Sequence, residues 1–450
     1  MAEETFDIGY CDIQTATLQR YGEKETFSIA NYISRLSFNE SIHSPLLSGE
    51  IDILDSSGLL DNYPILGEEI LTIKYVDFFL NEITQQFLVY GLDSYKSNDQ
   101  QNMVFYRLQF ISPQHFLSNS RIIQKSYLDF TIKEMIEKVF NEYLVDETNF
   151  RNSANEIEIE DTTGTQTLVI PALSPIETIN FLRRRGFSAD SKSSNYYFFQ
   201  NRQKFKVKTH EQMIEDSKPD AKVYTYDPSL TMDAPEDKIR AMNNLTSFYL
   251  PNRLNTISEM NAGAMISDTV EVDIQNKQYI HNIYRYKDNF QDYTHLDRTV
   301  RFPHTEDFTE AFFGDDNVTK SFMIFKDFER QGQRYTEITG PRMSNRYYLS
   351  SIVAEVELYG RNDLFAGDVI KLDMLEFENL PDGKIPDDHE SLSGYWLVNN
   401  INHNIDGKQY RCKVTLTKDL VQGNKGGVST VRDITSGDVT RKTTSRNEFT

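Results

Sequence analysis

The sequence predicts a mainly β protein with an α+β insert: two similar antiparallel β-barrel or sandwich domains, an α+β domain between them, and an insertion within the second β-domain. Three observations lead to this expectation. Apolar and polar residues alternate over long stretches towards both ends of the chain, as they do in half-buried strands. Three strand-like segments recur in the same order in the two stretches. Two helices with clear capping signals lie between them.

The first β-domain is expected at residues 6–116, where strand-like segments follow one another with turn residues at 55–58 and 97–99. The composition then changes. An α+β domain is expected at 117–236, because Thr131 and Glu134 form the signature of a capping box, and Ser174 and Glu177 form a second one. The first helix should bury one face, made of Ile132, Met135, Ile136, Val139, Phe140 and Tyr143.

The second β-domain is expected in two pieces, at residues 237–286 and 346–420, because about sixty residues of mixed, aromatic and charged sequence without the strand-like alternation separate them. Residues 287–345 are therefore read as an insertion. From residue 421 to 450 the chain is rich in Gly, Ser, Thr and Asn and lacks the apolar content to fold alone, so a flexible tail is expected there.

The repeated segments suggest that one domain has been duplicated. Arg35 and Leu36, followed by GEIDI at 49–53, are matched by Arg253 and Leu254, followed by TVEVDI at 269–274. GEEILTI at 67–73 is matched by GDVIKL at 367–372, and YRLQF at 106–110 by YRCKV at 410–414. The alternative is that all antiparallel meanders resemble one another. A duplicated domain would let three chains build a ring of six similar units.

Bulk composition narrows the class of protein. The 450 residues suggest roughly two to four domains, and 38% hydrophobic with 12% aromatic residues supports folded domains. A formal charge of −21 argues against general nucleic-acid binding. Cys11 and Cys412 are too few for a disulfide framework, which favours folding in a reducing cytosol. Neither a signal peptide nor an apolar run of membrane-spanning length is present, so we expect no membrane insertion.

No motif for catalysis, cofactor binding or metal binding stands out, so we expect no enzyme activity, no cofactor and no metal. A loop around Asp382 could hold a divalent cation, but Pro and Gly break the spacing of a calcium loop and a solvated hairpin loop is favoured. Arg183, Arg184 and Arg185 could clamp phosphate or carboxylate, although cations that balance a helix C-terminus are the simpler interpretation.

Several segments resemble the baseplate central hub proteins of contractile-tailed, T-even-like bacteriophages, a tube-domain family shared with type VI secretion spike proteins. They are SGEIDILD (48–55), PILGEE (64–69), YRLQFIS (106–112), Ser126 with Tyr127, the helix at 174–185, YFFQNR (197–202), AGDVI (366–370) and GYWLV (394–398). The resemblance spans roughly residues 6–420. No spike repeats or lysozyme-like domain follow, as in the members whose spike is a separate subunit.

The resemblance implies a homotrimer whose two tube-like β-domains per chain form a pseudo-hexameric ring. That ring would adapt a sixfold tail tube above to a trimeric central spike below. The implied partners are the spike, tail tube or tube-initiator proteins, and wedge or peripheral baseplate proteins. DNA would pass through without specific binding, and the protein would be made in the host cytoplasm and reside in the virion, in the tail baseplate. The alternatives are a tail-tip cell-wall hydrolase and a receptor-binding tail protein.

A ring that passes DNA suggests a role for four acidic residues, Glu50, Asp52, Glu271 and Asp273. Each alternates with apolar neighbours, so its strand should have one apolar and one acidic face. The apolar face is expected to enter a core. The acidic face would then line the channel, where like charge keeps DNA from adhering, or else face outer solvent.

Overall fold

The fold is that of a computed structural model of the chain, which describes residues 7–98, 103–151, 154–227, 230, 235–253, 255–297, 299–301, 304, 306–314, 317–325, 335–374, 392–419, 421–422 and 431–433. Within these ranges, every helix is too short or too polar to cross a lipid bilayer. The loop around Asp382 and most of the C-terminal tail lie outside the described residues.

The chain begins with strands, as the alternation predicts. They and one short helix are β1 (Asp12–Arg20), β2 (Thr26–Ser28), β3 (Ile33–Ser41), β4 (Ser48–Asp55), α1 (Leu59–Asn62), β5 (Glu69–Val76), β6 (Glu82–Asn98) and β7 (Met103–Ile111).

An α+β region follows, and both predicted capping boxes are present: the side chains of Thr131 and Ser174 accept hydrogen bonds from the backbone N–H groups of Glu134 and Glu177. Its elements are α2 (Gln114–Asn119), β8 (Ser126–Thr131), α3 (Ile132–Tyr143), β9 (Ile157–Ile159), β10 (Thr165–Val169), α4 (Pro175–Arg183), β11 (Tyr196–Gln200), β12 (Phe205–Thr209), α5 (His210–Ser217), β13 (Lys222–Tyr226) and α6 (Pro235–Met242). The apolar face of α3 packs on α4 and β11 in one core.

The remaining elements include strands of three separate sheets. They are β14 (Ser247–Arg253), α7 (Thr256–Ala262), β15 (Ile266–Asp273), β16 (Gln278–Arg285), α8 (Tyr286–Asn289), β17 (Thr299–Arg301), α9 (Glu306–Phe313), β18 (Lys320–Phe325), α10 (Tyr335–Leu349), β19 (Ile352–Tyr359), β20 (Val369–Met374), β21 (Gly394–Asp406), β22 (Gln409–Lys418), β23 (Val421–Gln422) and β24 (Val431–Asp433). Two short pieces of the tail that was expected to be flexible, β23 and β24, pair with β17.

Two sets of five strands in the main sheet share one topology. The first set is ordered β3-β4-β7-β6-β5, and the second is ordered β14-β19-β22-β21-β20, with every neighbouring pair antiparallel. The register shifts at the same point of both sets, between Val89 and Gly91 in β6 and between Val398 and Asn400 in β21. A glycine with positive φ precedes the last-placed strand of each set: Gly67, with φ of 88°, precedes β5, and Gly367, with φ of 89°, precedes β20.

The structure corrects which segments correspond. The strand expected to match Gly49–Ile53, at 269–274, belongs to β15, which pairs with β16 and β18 in a separate three-stranded sheet. Its place in the second set is taken by β19, so the chain leaves this set after β14 and returns only at residue 352. The period-two pattern is the same in both sheets and therefore could not distinguish them.

In two further cases the structure aligns different residues from those that the sequence comparison matched. Arg253 lies at the end of β14, whereas Arg35 lies near the start of β3. The match of YRLQF with YRCKV equates Arg107 with Arg411. In the structure Arg107 pairs with Asp52 of β4, and the equivalent pair in the second set is Lys413 with Glu357 of β19. The residue that corresponds to Arg107 is therefore Lys413, two positions beyond Arg411.

The two sets form one continuous sheet within the chain. β3 pairs with β21 from Ser41 opposite Asn400 to Arg35 opposite Asp406. Apolar residues of both sets, among them Ile51, Leu108, Val356 and Val414, are buried in the same core. The sets therefore share a sheet and a hydrophobic core.

Candidate functional site

One face of the main sheet is polar across both strand sets. Directly paired residues of an antiparallel sheet lie on the same face, which allows this face to be followed from strand to strand. The polar face comprises Arg35, Ser37, Asn39 and Ser41 of β3, Glu50 and Asp52 of β4, Asp93 of β6, Arg107 and Gln109 of β7, Glu355 and Glu357 of β19, Asn400, Asn402, Asn404 and Asp406 of β21, and Arg411, Lys413 and Thr415 of β22.

The acidic residues predicted on β4 lie on this face, but a cation holds them. Arg107 Nε lies 2.6 Å from Asp52 Oδ1, and its two terminal nitrogens lie 3.2 Å from Asp52 Oδ2 and 3.2 Å from Glu50 Oε2. This bidentate geometry is the strongest form of a carboxylate–guanidinium contact. The hydrogen bond with Asp52 raises the pKa of Arg107 above its usual range. The polar face therefore carries paired charges of both signs and is not uniformly acidic.

The second strand set carries an equivalent group. By register, Glu355 and Glu357 of β19 occupy the positions of Glu50 and Asp52, and Lys413 of β22 occupies that of Arg107. Lys413 Nζ lies 2.9 Å from Glu355 Oε2. The same acid, acid and base arrangement therefore occurs once in each set.

Glu271 and Asp273 lie elsewhere, on the small sheet of β15, β16 and β18. Asp273 is 2% exposed and its carboxylate accepts hydrogen bonds from the backbone N–H and side-chain amide of Asn276, at 3.0 and 2.8 Å, so it closes the β15–β16 turn. Glu271 shares its face with Ser267, which packs against Gly340 of α10. The structure does not bring these two residues together with Glu50 and Asp52.

The apolar face of β15 is buried at its start and exposed towards its end: Val270 is 8% exposed and the adjoining Ile274 67% exposed. Val270 and Val272 share a face with Met323 and Phe325 of β18, and those two side chains are 65% and 60% exposed. Tyr279 of β16, opposite Val272, is also exposed. The reason is that α10 covers the other face, where the amide of Asn282 donates to the Thr336 carbonyl at 2.9 Å. The exposed part of this face is apolar, as at surfaces that meet other proteins.

Arg202 is a residue that the sequence did not single out. It lies in the turn between β11 and β12, and its guanidinium is fully buried between the two strand sets. It donates to the carboxylate of Glu40 in β3, to Asn362 Oδ1 at 3.1 Å, and to the Leu364 carbonyl at 2.5 Å. One side chain of the α+β region therefore holds the first strand set and the β19–β20 connection at once.

The partner carboxylate is enclosed on all sides. Glu40 Oε2 accepts from the Ala366 backbone N–H at 3.2 Å, and His403 Nε2 lies 3.5 Å from Oε1. Burial alone raises the pKa of Glu40, but the charge of Arg202 and the contact with His403 outweigh it and lower the pKa to about 2. Burial and the Arg202 charge lower the pKa of His403 to about 4. The pair is ionised at neutral pH and His403 is neutral.

A second buried carboxyl group, that of Glu211, has a raised pKa, whereas that of Glu40 is lowered. Glu211, at the start of α5, is fully buried beside His210, whose Nε2 lies 3.0 Å from Oε1, and Asn345, whose amide donates at 3.3 Å. Nearby, His295 Nδ1 lies 2.7 Å from Asp419 Oδ2. Burial raises the pKa of Glu211 to about 7, against the opposing hydrogen bond from Ser193 and the His295 charge.

We expect Glu211→Gln to stabilise the protein at pH 8 and to leave its stability unchanged at pH 4. Because the folded-state pKa lies above the ordinary value of 4.5, the unfolded chain loses the proton first, and the fold weakens as the pH rises from about 4.5 to 7. The gain at pH 8 is on the order of 3 kcal/mol. Urea unfolding at both pH values measures it, with the exposed Glu137→Gln as the matched control. An equal effect of Glu211→Gln at both pH values would contradict the assignment.

Within the described part of the chain, no group of three or more His, Cys, Asp or Glu side chains is placed to hold a metal ion. Both cysteines, Cys11 and Cys412, are buried and unpaired by disulfide.

Neither the family models nor the curated proteins compared include a match to this sequence. Solved structures do match. The tail protein from Neisseria meningitidis MC58 superposes with a TM-score of 0.52 at 8% identity, covering 90% of this chain and 96% of that chain. The 43 kDa tail protein of prophage MuSo2 from Shewanella oneidensis gives 0.51 at 8% identity, covering 90% and 98%. The chain shares the fold of these two tail proteins.

The tail-protein fold extends over nearly the whole chain, and both matched proteins are covered almost completely. A type VI secretion component from E. coli matches with a TM-score of 0.42 at 8% identity, covering 91% of this chain and 77% of that chain. At this score the likeness is too distant to carry structural detail. At 8% identity, the first two matches show a common fold alone.

Proposed function

We propose that this protein is a structural component of a contractile phage tail baseplate, in which three copies form a ring of six β-units around a channel. The ring would join a sixfold tail tube above to a trimeric central spike below. In this proposal β3 to β7 and β14 with β19 to β22 are the cores of two tube domains per chain. The chain catalyses no reaction of its own.

The observation that carries the proposal is the junction between β3 and β21. It joins the first strand of one set to the fourth strand of the other. A ring of six similar units needs the same junction between chains, and there it would join β14, the first strand of the second set, to β6, the fourth strand of the first set. Repeating one contact is how identical or similar units close a ring.

Both required edges are open in the single chain. β14 is the terminal strand of the main sheet. β6 pairs with β5 only from residue 82 to residue 88, so one edge of its second half is unoccupied within the described sheet. Exposed side chains lie on both: Tyr249 on β14 is 63% exposed, and Tyr95 on β6 is 59% exposed. Open edges of this kind favour strand pairing with another chain.

The polar face supports the channel part of the proposal. Glu50 and Asp52, together with the equivalent Glu355 and Glu357, would face the bore. Paired charges of both signs present no continuous basic track for phosphates, so DNA would pass without being retained. Glu271 and Asp273 are left out of this proposed lining because they lie on the small sheet.

The remaining assignments follow from the ring. The chain would be made in the host cytoplasm and reside in the virion, in the tail baseplate. Its partners would be the spike, the tail tube or its initiator, and peripheral baseplate proteins. The exposed apolar side chains of Met323 and Phe325 form a candidate surface for one of these contacts.

Cysteine cross-linking tests the ring. By register, Tyr249 of one copy would face Lys96 of the next, just as Ser37 faces Asn404 within the chain. We expect Tyr249→Cys with Lys96→Cys, treated with a short bismaleimide, to give covalent dimers and trimers on a denaturing gel. The matched pair Ser37→Cys with Asn404→Cys should cross-link only within one chain. A ladder that continues past three chains, or a product that stays monomeric in a protein that sediments as a trimer, would refute this interface.

A further inference from the structure

A cleft of about 1110 Å³ lies between the C-terminal end of α4, strand β11, the β3–β4 connection and α10. Its charged lining is mainly arginine, contributed by two distant parts of the chain: Arg183, Arg184, Arg185, Arg342 and Arg346. The concentration is notable in a chain with a formal charge of −21. The sequence pointed to the first three arginines, but only the fold adds the two of α10.

Three of these cations lack a counterion in the described part of the chain. Arg183, Arg184 and Arg346 form no ion pair with any described carboxylate. The acidic residue of the lining, Glu177, is already engaged, because its carboxylate accepts hydrogen bonds from the backbone and hydroxyl of Ser174 at 3.0 and 2.8 Å. The cleft therefore keeps an excess of positive charge.

The arginines are held in place rather than free to spread apart. Arg183 Nε donates to Asn180 Oδ1 at 2.7 Å, and its Nη1 donates to the Tyr196 carbonyl. Arg342 donates to the carbonyls of Arg184 and Ser194 at 2.9 and 3.0 Å, which ties α10 to the end of α4. Burial and the neighbouring Arg184 and Arg346 lower the pKa of Arg183 to about 10. Cations fixed close together favour an anion that relieves their repulsion.

We propose that this cleft binds an acidic peptide segment of a partner protein, with side-chain carboxylates paired to Arg183, Arg184 and Arg346. Arginine suits this role because its planar fork pairs with carboxylates in two parallel hydrogen bonds. The inference does not depend on the proposed ring and can be tested on the isolated chain.

The lining favours a peptide over nucleic acid. The cations form one compact cluster instead of the extended stripe that a phosphate backbone follows, and the rest of the chain is acidic and repels a polyanion. The amide nitrogen of Asn180 and the amide oxygen of Asn195, whose other ends hold Arg183 and Arg342, match peptide backbone groups, as does the hydroxyl of Ser194. Leu173 and Phe181 supply an apolar wall. Pockets of this size accept molecules larger than a single ion.

The test is binding of a fluorescein-labelled hexaglutamate peptide to the full chain, followed by fluorescence anisotropy at low and high salt. We expect saturable binding that weakens with salt, and no binding of a hexaglutamine peptide of the same length. A labelled oligothymidylate of matched charge and unlabelled tripolyphosphate serve as competitors, and both should compete poorly.

The variants are Arg184→Ala and Arg346→Ala, both exposed and therefore expected to fold normally. Each should weaken binding roughly tenfold, since a charge-assisted contact is lost, and the two together should abolish measurable binding. Arg346→Lys should retain part of the affinity. Arg121→Ala, exposed in the same region of the chain but outside the cleft, is the matched control and should bind as the unchanged protein does.

Three results would overturn the proposal: no binding of hexaglutamate, binding that survives the double variant, or displacement by oligothymidylate or tripolyphosphate at lower concentration than by unlabelled hexaglutamate. The last result would assign the cleft to phosphate groups instead. Melting curves of all variants show whether a loss of hexaglutamate binding comes from unfolding. If the alanine variants unfold, the proposal is judged on the binding of hexaglutamate to Arg346→Lys alone.

Discussion

Replacing Arg202 with alanine is expected to lower the free energy of unfolding by about 3–5 kcal/mol, because it leaves the carboxylate of Glu40 buried without its cation. The part of the loss that comes from the Glu40 charge should occur only where Glu40 is ionised, whereas the lost hydrogen bonds to Asn362 and Leu364 do not depend on that charge. The folded-state pKa of Glu40, about 2, is below the ordinary 4.5, so this part of the stabilisation is present above pH 4.5 and disappears as the pH falls towards 2. Urea unfolding at pH 7 measures the main effect.

A double variant distinguishes the cost of leaving the Glu40 charge unpaired from the cost of losing the packing of the Arg202 side chain. Arg202→Met with Glu40→Met removes both charges, so we expect it to be less destabilised than Arg202→Ala even though more contacts are lost. The exposed Arg411→Ala is the control for removing an arginine, and it should change stability by less than about 0.5 kcal/mol. Effects that simply add in the double variant would show that Arg202 and Glu40 are not energetically coupled.

Lysine at Asp52 is expected to destabilise the chain by about 3 kcal/mol, because a cation would face Arg107 in a position only 8% exposed. Its counterpart Glu357 is exposed, and Glu357→Lys should cost less than about 1 kcal/mol. The two substitutions change the same charge at equivalent positions. Chemical unfolding of both variants therefore measures the contribution of burial, and equal losses would contradict the assignment of Asp52 to a partly buried ion pair.

This difference also determines how the proposed channel can be tested by substitution. Lysines at Glu50, Asp52, Glu271 and Asp273 would disturb a partly buried ion pair and the turn that Asp273 closes. Glu357 and Asp406 are exposed on the same polar face and are the better positions for changing its charge without unfolding.

Features that depend on residues close together in the sequence could be predicted from it. The capping boxes at Thr131 and Ser174 depend on residues three positions apart, and both are present. The alternating strands depend on neighbours two positions apart, and most were found. Which sheet a strand joins is a different matter. β15 and β19 have the same period, and only contacts with distant strands decide between them.

Long-range contacts also explain why the cleft and the buried pair were only partly visible. Arg183 to Arg185 were noticed as a run, but Arg346 reaches them from another part of the chain. Arg202 lies two residues beyond a fully buried strand, and it contacts Glu40 across 162 residues of sequence. A single charge in a turn usually faces solvent, so nothing local indicated that this one is enclosed.

The β3–β21 junction constrains how the chain can fold as it is synthesised. Arg35 and its hydrogen-bond partner Asn404 are 369 residues apart, so β3 waits for its neighbour until almost the whole chain has left the ribosome. During that interval its edge is an open template for other strands, which is the situation that leads to aggregation. Closing such a distant contact is also slow. We therefore expect the last folding step to be the docking of β21, and truncations that remove β21 to give an insoluble product even though the first seven strands remain intact.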